Sequence, residues 1–143
     1  MPPLTARWWA NNMLKKIFSY DSPYKKRVRF LAILWTLLIF ILCLLPADEI
    51  PQVHVPLADK WVHFIMFGVF AFLWLCTKPS RNISFLISIL ALTIFTGWVI
   101  ELLQGSLSSL GRSEVMLDVV ADGIGGLLGI IIFTVLSFFT EKK

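Results

Sequence analysis

Glu101, Arg112, Asp118 and Asp122 lie at or inside the edges of two long apolar stretches, in a chain whose residues are 57% hydrophobic. A charged side chain at the centre of a membrane-spanning helix costs roughly 2.5–3.5 kcal/mol on insertion scales, so such residues point to chemistry or binding. Asp59, Lys60, His63 and Gln104 flank the same kind of boundary. The types present suit acid–base work: His63 or Glu101 as general base, with Asp118 or Asp122 as acid or orienting group, form the catalytic candidates. Asp59, Lys60, Gln104 and Arg112 form the substrate-binding candidates. Arg112 and Lys60 would clamp phosphate or carboxylate oxygens, Arg being suited to bidentate contact. Ser106, Ser108, Ser109 and Ser113 offer hydroxyls, but none sits in a recognisable nucleophile motif. One imidazole and up to four carboxylates are compatible with a divalent cation; no ligand spacing demands one, and no metal ligand is assigned.

Spacing adds to the case, because residues three and four apart share a helix face. Asp59 and His63 are four apart, Glu101 and Gln104 three, Asp118 and Asp122 four. After Asp122 the same stripe continues through Gly125, Gly126 and Gly129, and Gly125 with Gly129 makes a small-xxx-small pair that permits close helix approach. Gly97 is expected to serve similarly one turn before Glu101. Each polar group has an ordinary alternative: Asp59 with Lys60 as an interfacial pair, His63 as a packing residue, Asp118 as an anion at a helix N-terminus. Three helices converging on one depth favours a site.

The elements that must position these groups follow from composition. A mean hydropathy of +0.79 and 15% charged residues depart from the roughly 25% charge of soluble domains. Four stretches, about 28–45, 58–76, 83–103 and 116–139, approach or exceed the roughly 17–25 residues a helix needs to cross a hydrocarbon core. The expected fold is an all-α membrane protein with a bundle of four transmembrane helices, since only helices or closed barrels satisfy their backbone in lipid.

Of the thirteen Lys and Arg residues, all but Lys60 and Arg112 precede the first span or lie at its very start, occupy the second loop or close the chain. Basic residues stay cytoplasmic, so both termini are expected inside and the polar groups in the outer half of the bilayer. The net charge of +4 is explained by this topology, and nucleic-acid binding is not expected. Residues 1–27 read as an amphipathic segment at the cytoplasmic interface, with Ala6, Trp9, Ala10, Met13, Leu14 and Ile17 on one face and Asn11, Asn12, Lys15 and Lys16 on the other. Trp8 falls on the polar side of that wheel. Leu45-Pro46-Ala47-Asp48 offers no convincing cleavage site, so the first span is read as retained. Cys43 falls near the outer end of the first span and Cys76 near the inner end of the second, opposite sides of the bilayer, which excludes a disulfide between them and leaves both as packing residues.

Asp59-Lys60-x-x-His63-Phe64, Glu101-x-x-Gln104, then Arg112 and Asp118-x-x-x-Asp122-x-x-Gly125-x-x-x-Gly129 resemble, in order and spacing, the VanZ-like family of small bacterial membrane proteins. The likeness covers about residues 28–135. It implies a cytoplasmic-membrane location and a role in the cell envelope, the family being named for a member associated with teicoplanin, a glycopeptide. The family pattern usually carries Asn where this chain has Asp122.

Three functions are weighed. The first is an enzyme acting at the outer leaflet on an anionic lipid or lipid-linked glycan. The second is capture or scaffolding of an envelope precursor or partner enzyme without turnover. The third is proton-coupled transport, ranked last because the inner halves of the spans carry no matching ionisable path unless a second copy completes one.

Overall fold

The computed structural model describes residues 16–18, 22–46, 56–107 and 116–141. Their regular structure is helical: α1 (Lys25–Cys43), α2 (Ala58–Thr77), α3 (Ile83–Ser106) and α4 (Met116–Glu141). Local chemistry sets several ends. The Ser22 hydroxyl accepts from the Tyr24 amide ahead of α1, and the Asn82 side chain caps α3 by accepting from the Ser84 and Phe85 amides. Leu57, just before α2, has a φ of 57°, a left-handed conformation that is uncommon outside glycine.

Three of these helices, α2, α3 and α4 as far as Phe138, are long and apolar enough to cross a membrane. The sequence led us to expect four. α1 does not meet the same measure, because Lys25, Lys26, Arg27 and Arg29 lie inside its N-terminal end rather than ahead of it. Its remaining length nevertheless exposes Phe30, Leu34, Leu37 and Ile41. The other helices likewise turn Ile65, Ile87, Phe95, Ile124 and Ile131 outward, an apolar surface beyond what soluble monomers carry.

The α2–α4 pair packs most extensively, and glycines explain why. A Cβ on Gly125 would run into the Phe64 carbonyl, and one on Gly129 into that of Gly68. In lipid, where burying apolar surface between helices gains little, such backbone approach is a main source of association. α1 is held on α2 by two indole hydrogen bonds, Trp35 Nε1 to the Met66 carbonyl at 2.9 Å and Trp74 Nε1 to Thr36 Oγ1 at 3.2 Å. One core cluster joins Ile39, Cys43, Met66, Phe67, Phe70 and Ile100, and a second joins Ala71, Leu75, Cys76, Ile89, Ile130 and Phe133. Of the N-terminal segment, Phe18 packs on Phe72 and Phe133, with ring centroids 6.3 and 5.5 Å away; the faces expected over residues 6–14 lie outside the described residues.

Candidate functional site

The end of α1, the start of α2, the end of α3 and the start of α4 meet at one end of the bundle. Lys60 Nζ on α2 donates to Asp118 Oδ1 on α4 at 2.9 Å and to its neighbour Asp59 at 2.8 Å. One turn deeper, His63 Nδ1 lies 3.0 Å from Asp122 Oδ1. The other ring nitrogen, Nε2, is 4.0 Å from Cys43 Sγ at the end of α1. Gln104 on α3 closes the circuit by donating from Nε2 to the Cys43 carbonyl at 2.6 Å.

Burial deepens in the same order. The Asp59 side chain is 59% exposed, Lys60 19% and Asp118 8%, while Glu101 and Asp122 are fully buried. The His63 ring stacks on Phe67 with centroids 6.2 Å apart. Asp122 Oδ2 makes no hydrogen bond among the described residues. The carboxylate fits because position 97 is glycine: a Cβ there would stand 2.9 Å from Asp122 Cγ and 3.1 Å from its Cβ. Donor atoms of His63, Glu101 and Asp118 lie within 4.8 Å of one another, with all three residues buried.

The structure thus brings Asp59, Lys60, His63, Glu101, Gln104, Asp118 and Asp122 to one end of the bundle, while Arg112 and the serines at 108, 109 and 113 lie outside the described residues. Ser106 is exposed at the end of α3. Three residues make contacts beyond those assigned from the sequence. Lys60 is bonded to two carboxylates, Asp59 and Asp118. Gly97 clears space for the Asp122 side chain. Cys43, expected to be a packing residue, is buried as such but also faces His63 and offers its carbonyl to Gln104. Sequence carried one usable signal for Cys43: a polarizable side chain at the end of a span that had to pack beside the start of the next. Cys43 and Cys76 are both free thiols, each in a different core cluster.

A helical chain with three helices able to cross a bilayer and a cluster of ionisable side chains buried among their ends is a multi-pass membrane protein. Residues 8–137 match the family model described as VanZ/LLP1, and the chain belongs to that family. Comparison with curated proteins and with solved structures returned no match.

Proposed function

We propose that this VanZ-like protein is an enzyme of the bacterial cytoplasmic membrane that acts on an envelope lipid or lipid-linked glycan. The observation that carries this reading is the buried His63–Asp122 pair at 3.0 Å beside two further buried carboxylates, Glu101 and Asp118. Apolar packing alone would hold the helices together without the cost of burying so many ionisable groups. With Asp122 ionised, Nδ1–H donates to it and fixes the tautomer, which leaves Nε2 basic. His63 or Glu101 then takes the proton of a water or substrate hydroxyl as that oxygen attacks the ester or phosphoester centre of the headgroup, and the proton passes to the departing oxygen as its bond breaks. The groups are buried and held in place beforehand, the condition under which electrostatic stabilisation is largest. Arg112, rather than the doubly bonded Lys60, is assigned to the anionic headgroup.

A membrane lipid fits because the helices that carry Glu101, Asp118 and Asp122 also form an apolar groove lined by Leu90, Ile94, Val119, Val120, Gly123 and Leu127. Gly123 adjoins Asp122 in sequence and meets Ile94, one turn from Gly97. An acyl or prenyl chain lying there would bring its headgroup toward the polar end. The topology that accompanies this reading has α1 as a fourth span, both termini inside, and the polar end outward, in keeping with the placement of Lys and Arg.

The test is mass spectrometry of envelope lipids and lipid-linked glycans from a deletion strain complemented with wild type or with Asp118→Asn at equal expression. A species that changes in both the deletion and the Asp118→Asn strains identifies substrate or product. Unchanged profiles beside a persisting glycopeptide-sensitivity defect would overturn catalysis in favour of capture or scaffolding.

A further inference from the structure

Cys43 ends α1, buried, and the acid–base chemistry of His63 leaves it unused. Its surroundings differ from those of the chain's other cysteine. Cys43 Sγ lies 4.0 Å from His63 Nε2, and the opposite ring nitrogen, Nδ1, lies 3.0 Å from Asp122 Oδ1. Three helices thus supply thiol, imidazole and carboxylate in the order of a nucleophile, its base and the group that orients the base. Cys76, just as buried, sits instead among Ala71, Leu75, Ile89, Ile130 and Phe133.

Each contact places a proton. With Asp122 accepting Nδ1–H, the lone pair of the ring is on Nε2, facing the thiol. A thiol attacks as thiolate, and an imidazole that takes its proton is one way to form it; such contacts are looser before substrate binds. The neighbours hold both partners: Gln104 Nε2 donates to the Cys43 carbonyl at 2.6 Å, and Phe67 stacks on the His63 ring. The indole bonds that fix α1 on α2 use Trp35 and Thr36, so the turn bearing Cys43 lies beyond them and can part from α2 to admit a substrate. A neutral carboxylic ester suits the site better than a phosphoester. Carboxylate oxygens of Glu101 and Asp118 lie within 4.8 Å of a His63 ring nitrogen and would repel phosphate oxygens.

We infer that Cys43 is a catalytic nucleophile, with His63 as its base and Asp122 as the positioning residue, acting on an acyl ester of a membrane lipid. This rests on the lipid-directed reading and deepens it by naming the attacking atom and the bond broken. His63 Nε2 takes the thiol proton as sulfur attacks the ester carbonyl carbon. The C–O bond breaks, and the departing oxygen takes that proton from Nε2, leaving the acyl group on Cys43 as a thioester. A water then gives a proton to Nε2 and attacks the thioester carbon; the C–S bond breaks, and the proton returns to sulfur. The sum is hydrolysis of the ester, and it needs no co-reactant besides water.

The experiment uses the full chain, purified in nanodiscs, with iodoacetamide as probe and peptide mass spectrometry as readout. At neutral pH Cys43 is expected to alkylate about tenfold or more faster than Cys76. His63→Ala and Asp122→Leu should each slow Cys43 by about tenfold or more and leave Cys76 unchanged, whereas Asp122→Asn, which keeps an acceptor, should retain the fast rate. Similar rates for the two thiols of the wild-type chain, or a Cys43 rate unmoved in a folded His63→Ala chain, would overturn the inference. The wild-type comparison keeps it falsifiable even where a variant fails to fold. With extracted envelope lipids present, the acid-quenched Cys43 peptide should carry an acyl mass that hydroxylamine removes, and Cys43→Ala should abolish conversion while Cys76→Ala retains it. Lipid conversion by a folded Cys43→Ala chain contradicts the nucleophile and leaves the lipid reading intact; fast, His63-dependent alkylation without any lipid conversion supports the activated thiol and counts against that reading.

Discussion

Gly97 on α3 provides the space that the Asp122 carboxylate of α4 occupies, so a backbone position without a side chain sets how deeply an ionisable group enters the bundle. Gly97→Ala should therefore displace Asp122 from His63 and lower stability by about 1–3 kcal/mol, the usual cost of overpacking. Asp122→Ala removes the crowded carboxylate, and the double variant should recover part of the loss. Thermal unfolding of the four forms in detergent gives the coupling. Additive effects would show that the two positions do not meet.

The hydrogen bond at position 122 needs an acceptor facing His63 Nδ1, and an amide oxygen is also an acceptor. Asp122→Asn, which installs the residue usual in the family pattern, should keep the ring in place and retain function in the strain assay. Asp122→Leu, similar in size with no acceptor, should lose it. Nitrogen NMR of labelled histidine checks the structural half: the Nδ1–H tautomer of His63 should persist in Asp122→Asn and be lost in Asp122→Leu.

Lys60 separates an exposed from a buried ion pair. Asp59 is 59% exposed and Asp118 only 8%, so Asp59→Asn should shift stability by about 0.5 kcal/mol or less. Lys60→Met leaves the Asp118 carboxylate without its cation and should cost about 1–3 kcal/mol. Chemical unfolding in mixed micelles measures both. Equal effects would show that the Asp118 contact is no better sheltered than that of Asp59.

Much of this arrangement was legible in the sequence because it follows from periodicity. Polar residues three and four apart had to share a stripe, alternating helices had to bring their ends together, and Gly125 with Gly129 had to permit close approach. What could not be read depends on the register between helices. Nothing along α1 says that Cys43 reaches the level of His63, because that alignment is fixed by Trp35 and Trp74 bonding to positions 66 and 36. Lys60 reads as the partner of Asp59 or as a clamp for an anion until α4 places Asp118 beside it. Gly97 reads as a helix contact until the Asp122 side chain is seen to occupy its vacancy. α1 differs in detail: its apolar run reads as a span, and the helix begins early enough to take in four basic residues.

The α2–α4 contact yields a direct stability prediction. Gly125→Val drives branched carbons into the Phe64 carbonyl, backbone that cannot yield as a side chain would. It should destabilise the fold by about 3 kcal/mol or more, whereas Ile124→Val on the exposed face of the same helix should cost less than about 0.5 kcal/mol. Residual helicity and monodispersity after heating distinguish the two. Equal tolerance would mean that the helices are not in backbone contact there.

The central claim, that the buried polar cluster turns over a membrane lipid, is tested most directly by incubating the purified chain in nanodiscs containing extracted envelope lipids and following the lipid species over time by mass spectrometry. Wild type should convert at least one envelope lipid or lipid-linked glycan, and a folded His63→Ala chain should not. No conversion by the folded wild-type chain, or the same conversion by His63→Ala, would contradict it.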